Sequence, residues 1–399
     1  MAEHDIVLLI LYFYYGCKIK TVLVKTIMTT ALKGLKVLDF STLLPGPFAT
    51  LYLADLGAEV IHIESPTRPD LVRLFPPYAN GQATSHSYLN RNKQSVTLDL
   101  KDPASIEQVK QKISEFDIVV EQFRPGVMQR LGLDYQTLAE INPRLIYCSI
   151  TGYGQTGSYK DKAGHDINYI ALSGIAGHCG RQDSGPPPMG IQIADVAGGS
   201  LHAVIGILAA VVERQNSGLG QYIDISMTDC VVGLNNMAAA ASLAGGQQQQ
   251  RESEQLNGGT FYDYYETADA RYLSIGSLEP QFMNGLASAL ELPILLQKGA
   301  SFDTEDRQIL KQAIRDKIKS KNLAEWNQLF EQLDVCVEPV LSLDEALQSQ
   351  ISQQRNWVVN VLLKPNSDQT EPQLACPIKF SRSQMQYHYI GQQLGEGKW

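Results

Sequence analysis

Between Lys36 and Ile150 short apolar runs alternate with amphipathic ones, and this alternation limits the possible folds more than any other feature of the chain. Lys36-Val37-Leu38-Asp39-Phe40, Glu59 to Ile63, Val96 to Leu98, Asp117 to Glu121 and Leu145 to Ile150 read as strands. Phe48 to Leu56 follows the break at Pro45-Gly46-Pro47 with apolar residues at helical spacing, and Gly57 ends it. Pro103 to Phe116 reads as an amphipathic helix, with Asp102 as its N-cap and Pro103 at the first helical position. Strands and helices in this order, joined by short connections, imply a parallel sheet covered by helices.

Ser200 to Val212 is apolar on nearly every face. It is expected to be a buried core helix, too short and too continuous with Glu213 and Arg214 to span a membrane. Gln221 to Ile225 follows as a further strand. Tyr262 to Ala268 and Arg271 to Gly276 form a hairpin pattern turning at Asp269-Ala270, with helical patterns over Glu279 to Leu290 and Glu305 to Leu333. The expected organisation is α/β: a large domain over 28–225, a linker over 226–257, a smaller α+β domain over 258–341, and a return to the large domain over 342–399. Residues 1–27 are expected to be a dispensable extension. Their apolar run, Ile6 to Cys17, is shorter than the ~20 residues of a membrane span. It also lacks the basic flank and cleavage site of a signal peptide.

The 399 residues have room for two cores. A net charge of −9 argues against a nucleic-acid binder while leaving a small anionic ligand open. The six cysteines show no C-x-x-C pair and no metal-ligand spacing, which points to inert thiols in a reducing cytoplasm.

Chemistry concentrates in Ala163 to Arg214. His165 and Asp195 each stand beside small residues at what reads as a helix start, where free N–H groups and the dipole favour developing negative charge. Taken singly, His165 reads as a surface or capping residue and Asp195 as an N-cap; Glu279, just before Pro280, has the same plain explanation. Gly152-Tyr153-Gly154-Gln155-Thr156-Gly157 matches G-x-G-x-x-G literally, but no helix start follows it, so it reads as a flexible glycine loop near the site. A dinucleotide-binding oxidoreductase rests on that loop alone and is the weakest of the functions considered.

Jointly these positions carry a resemblance. Ala163-Gly164-His165-Asp166-Ile167-Asn168-Tyr169, Asp195 followed by Gly198-Gly199, and Glu279-Pro280-Gln281-Phe282 resemble the alpha-methylacyl-CoA racemases of the family III CoA-transferase superfamily. Pro45-Gly46-Pro47, Arg124-Pro125-Gly126-Val127 and Arg130-Leu131-Gly132-Leu133 extend the likeness, which runs from about Leu32 to Ser383. The resemblance implies a Rossmann-like sheet in the large domain, a smaller domain, and an interlocked homodimer with the active site between the large domain of one subunit and the small domain of the other. It implies His165 and Asp195 as an acid–base pair, with Glu279 orienting or charging His165. Inverting carbon 2 of a 2-methylacyl thioester takes a proton from one face and returns one to the other, so one base per face is the economical arrangement. Donors at the helix start near Asp166 are expected to stabilise the enolate.

Coenzyme A enters as part of an acyl-CoA substrate, and no separate cofactor, metal, nucleic-acid partner or membrane span is expected. Arg91, Lys93, Arg124, Arg130 and Gly164 are the implied CoA contacts. One departure stands out: Ser65 follows Glu64 where the family carries an arginine, so Arg68 or Arg73 is expected to take the phosphate contact. The alternative within the superfamily is a CoA transferase, with Asp166 as the nucleophile that attacks the acyl thioester.

Overall fold

The computed structural model describes residues 6–15, 18–27, 29–301 and 303–399; Cys17 and Met28 lie outside the described residues. Strands β1 (Ile6–Tyr15) and β2 (Lys18–Ile27) form a two-stranded antiparallel sheet. The chain divides into two compact units, one made of Met1–Asp166, Gln192–Cys230 and Gln353–Trp399, the other of Ile167–Ile191 and Val231–Ser352.

The first unit is built on six parallel strands: β3 (Lys36–Asp39), β4 (Glu59–Glu64), β5 (Lys93–Thr97), β6 (Ile118–Glu121), β7 (Ile146–Thr151) and β8 (Tyr222–Ser226). Their order across the sheet is β8-β7-β6-β3-β4-β5. The first strand is thus central, and the chain winds outward on one side and then on the other, as in doubly wound nucleotide-binding sheets. Val37, Leu38, Ile118 and Val119 are fully buried, as expected of central strands covered on both faces.

Helix α1 (Pro45–Asp55) begins three residues earlier than its apolar spacing suggests. Pro45-Gly46-Pro47 forms its first turn, where the missing proline N–H costs nothing. In α2 (Pro103–Lys112) the Asp102 carboxylate caps the Ala104 N–H at 2.9 Å, and the helix closes in a 3₁₀ turn at Ile113–Glu115. Helices α3 (Val127–Leu131) and α4 (Tyr135–Ile141) follow β6, and α5 (Asp166–Leu172) follows the glycine loop. That loop is pinned rather than free: the Gln155 N–H donates to Asp224 at 2.9 Å, and the Thr228 hydroxyl donates to the Gly152 carbonyl at 2.7 Å.

A π-helical segment, Ala194–Leu201, runs directly into α6 (His202–Ser217). Together they make a helix of 24 residues that is long and apolar enough, by length and composition alone, to cross a membrane. It is longer than the sequence suggested, and only one face is buried, through Ala203, Val204, Ile207 and Ala210. Ile205 and Val212 are 63% and 60% exposed, so the expectation of burial on every side is corrected.

The second unit holds a three-stranded antiparallel sheet of β9 (Asp263–Glu266), β10 (Tyr272–Ile275) and β11 (Val337–Pro339). The hairpin turns where expected, with Ala270 left-handed at φ 58°. The third strand had no pattern of its own in the sequence. Helix α7 (Pro280–Leu290) follows, then α8 (Thr304–Ile318) and α9 (Leu323–Phe330), which the sequence merged into one. Asn322 and Glu325 form a capping box that starts α9 afresh. Trp326, fully buried, anchors this core and donates its indole N–H to the Ile318 carbonyl at 2.8 Å.

Three expected boundaries shift: the expected linker over 226–257 divides after Cys230, and 231–257 belongs to the second unit. Residues 167–191 belong to the second unit although they lie within 28–225, and the return to the first unit begins at Gln353 rather than 342. Within the first unit the returning segment lies against the outer edge of β5, where Gly397 N–H donates to the Ser95 carbonyl at 2.7 Å and Ser95 N–H to Gln392 at 3.0 Å.

Candidate active site

Asp166 and Asp195 meet at the start of the π segment. One oxygen of the Asp166 carboxylate accepts the backbone N–H groups of Ala194, at 2.6 Å, and Asp195, at 3.0 Å. These donors would otherwise be orphans of the helix start, so Asp166 acts as a cap contributed from another part of the chain. His165 stands immediately before α5, exposed. It is near enough for its charge to act on Asp195.

Asp195 is half-buried, and burial is the largest influence on its carboxyl. The neighbouring Asp166 charge adds to it, His165 opposes both, and the pKa is pushed up to about 6. A carboxyl titrating there can both take and give a proton near neutrality, which suits a general acid–base residue.

Packing explains why the π segment sits where it does. A Cβ on Gly199 would come within 3.1 Å of both Pro45 Cβ and Met227 Cγ, so a side chain there would press the segment away from α1 by a few tenths of an ångström. The sequence showed the Gly198-Gly199 pair but gave no sign of the wider helical turn.

Two of the cations expected to hold CoA lie in the interior. Arg91, 1% exposed, grips Asp55 with bonds of 2.9 and 2.5 Å and donates to the Leu374 carbonyl at 2.6 Å. Its guanidinium carbon also lies 5.0 Å from the ring centroids of both Tyr88 and Tyr387. Lys93, equally buried, donates to the Pro47 carbonyl at 2.9 Å and Asn90 at 3.0 Å, with Asp39 at 3.5 Å. Neither head group is left facing a ligand, and this corrects the expectation for both. The physical reason is the pair of interior carboxylates, which need a cation to stay charged away from water.

Arg124 lines a cavity of about 400 Å³ with Glu121, Tyr135, Tyr147 and Tyr222. Arg130 lies over Gly126, with Nη1 3.3 Å from the position a Cβ would take there. Gly164 sits in the loop before α5. Glu279 belongs to the second unit, exposed at the N-cap position of α7, where its charge acts on the Cys336 thiol.

A larger cavity, about 760 Å³, opens at the carboxyl ends of β3, β4 and β5 and reaches Phe123 beyond β6. This is the point where the winding direction reverses, the usual ligand crevice of such sheets. Its walls are mostly apolar, including Phe40, Leu43, Ile63, Leu98 and Phe123, and Arg68 and Lys101 stand on its lining. Of the two arginines expected to replace the one absent at Ser65, Arg73 is bound to Glu64 at 2.8 and 2.6 Å. Arg68 is the one on the cavity. Lys101 escaped the sequence reading, although its place just past a strand's carboxyl end is the signal that could have found it.

Sheet order and cavity define a doubly wound α/β protein with a crevice at the carboxyl ends of its strands. The model for CoA-transferase family III matches residues 32–396, and the chain belongs to that family. It is 37% identical over 331 residues to alpha-methylacyl-CoA racemase of Mus musculus, covering 81% of each chain. It is also 33% identical over 320 residues to succinyl-CoA:glutarate CoA-transferase of Homo sapiens, covering 77% of this chain and 71% of that one. Among solved structures it resembles a CAIB/BAIF family protein from Brucella suis, with a TM-score of 0.79 and 29% identity over 92% of this chain and 97% of that one.

Proposed function

We propose that the protein epimerises 2-methylacyl-CoA thioesters by removing the proton on carbon 2 and returning one to the opposite face through an enolate. The observation that carries this reading is the Asp195 carboxyl, pushed up to about 6 beside His165 and Asp166. A two-base inversion needs one proton-transfer group on each face of carbon 2, and His165 and Asp195 are assigned these two places. In one direction His165 takes the proton and protonated Asp195 returns one; in the other the roles reverse. The nucleotide end of the substrate is assigned to the 760 Å³ cavity, with Arg68 and Lys101 toward its phosphates. By the family resemblance, Glu279 of a second subunit orients His165 in an interlocked homodimer; the scattered cysteines favour a place in the reducing cytoplasm.

The transferase reading has support in the relatives that carry CoA between acids. It needs Asp166 to attack a thioester: one oxygen of that carboxylate accepts the Ala194 and Asp195 N–H groups, and the other would be the attacking atom. The two readings part on the need for an acceptor. With purified enzyme and one epimer of a 2-methylacyl-CoA, chiral separation should show the other epimer accumulating with no second acid present. Turnover only when succinate, glutarate or oxalate is added would overturn the proposal.

A further inference from the structure

We propose that Ser200 and His202 are positioning residues for Asp195, locking the π turn that presents its carboxylate. The Ser200 hydroxyl, fully buried, lies 2.7 Å from the Pro45 carbonyl and 3.0 Å from the Asp195 carbonyl. His202 Nδ1 donates to the Ala197 carbonyl at 2.7 Å. Both side chains therefore reach a carbonyl five residues back, which is the spacing of a π turn and not of an α turn. The turn contains one residue more than an α turn would, so relaxation to α geometry rotates Asp195 by roughly 100° relative to α6.

The other end of the Ser200 clamp cannot follow such a movement. The first turn of α1 is held independently: Gly46 N–H donates to Gln122 at 2.8 Å, and Lys93 donates to the Pro47 carbonyl at 2.9 Å. The loop entering it is fixed at Leu43, whose left-handed backbone (φ 64°) is secured by a 3.0 Å bond from its N–H to Asp70. A non-glycine residue in that region costs about 1 kcal/mol or more and persists only when its surroundings enforce it. Lys93, expected from the sequence to touch CoA, thus takes part in a support for the catalytic segment.

The inference rests on Asp195 acting in proton transfer, but its test does not need turnover. Carboxyl ¹³C NMR of aspartate-labelled full-length protein, with Asp195→Asn to assign the signal, reads the Asp195 titration directly. Loosening the turn admits water to a group whose raised pKa comes chiefly from burial, so Ser200→Ala should move the titration down by about one pH unit. In turnover, kcat should fall on the order of tenfold with KM within twofold, and the acid limb of the profile should shift by the same amount. His202→Leu should act in the same direction, and it supplies the reading if Ser200→Ala does not fold. An unchanged Asp195 titration in folded variants, with only thermal stability lowered, would overturn the proposal. If the titration moves but wild type epimerises nothing, the positioning role stands and the functional assignment falls.

Discussion

The Asp166 carboxylate and the Asp195 N–H are joined by a 3.0 Å hydrogen bond, so one acidic residue holds the backbone of another while its charge raises that residue's pKa. Asp166→Asn keeps an acceptor for the two amides and removes the charge. The Asp195 titration should then fall from about 6 towards the ordinary carboxylate range, and the acid limb of kcat/KM should move with it. Activity should drop by about tenfold or less. Complete loss of turnover would instead make Asp166 a nucleophile.

Removing either member of the proton-transfer pair should be far more severe. His165→Ala and Asp195→Asn should each lower epimerisation by about 10²–10⁴-fold, the usual contribution of a positioned acid or base. Circular dichroism and thermal melts should be near wild type for His165→Ala, because that side chain is exposed.

The buried and the cavity-lining cations should separate cleanly. Arg91→Leu strands the carboxylate of Asp55 inside the protein, where burial already raises its pKa, and should cost about 3–5 kcal/mol in denaturant unfolding. Arg68→Ala should leave stability within about 0.5 kcal/mol and raise KM for acyl-CoA on the order of tenfold. A pantetheine thioester lacking the nucleotide should not sense Arg68→Ala.

Glu121, 4% exposed at the end of β6, is pushed up to about 7, chiefly by burial. A carboxyl whose folded pKa exceeds its unfolded value of 4.5 contributes stability below 4.5 and loses it as pH rises towards 7, because the folded state holds the proton longer. Glu121→Gln should therefore melt higher than wild type at pH 8, by a few degrees, and the difference should vanish near pH 4.5. A difference independent of pH would place the cause in packing.

Assembly can be tested by complementation. If His165 and Glu279 meet across subunits, refolding a mixture of His165→Ala and Glu279→Ala chains should restore part of the activity, since some heterodimers carry one intact site. No recovery with heterodimers present would put both residues in one subunit or remove Glu279 from the site.

The sheet was legible because period and length carry strand and helix information locally. All six parallel strands fall within a few residues of their apolar runs, and Asp102 caps α2 as its position before Pro103 implied. Interior charge was not legible. Arg91 and Lys93 look like surface cations until Asp55 and Asp39, 36 and 54 residues earlier in the chain, are seen to face them. The π turn was hidden for a similar reason: it depends on Ser200 reaching Pro45, a contact spanning 155 residues. His165, Asp166 and Asp195 stood out through their neighbours in sequence, but the capping role of Asp166 needed the fold.

The most direct test of the central claim is deuterium incorporation at carbon 2. Wild-type enzyme in deuterated water, given either the (2R)- or the (2S)-2-methylacyl-CoA and no acyl acceptor, should produce the opposite epimer carrying deuterium at carbon 2. His165→Ala and Asp195→Asn should block inversion, while the remaining base can still exchange the proton on its own face. Acyl transfer to a free carboxylate with no deuterium at carbon 2 would contradict the account.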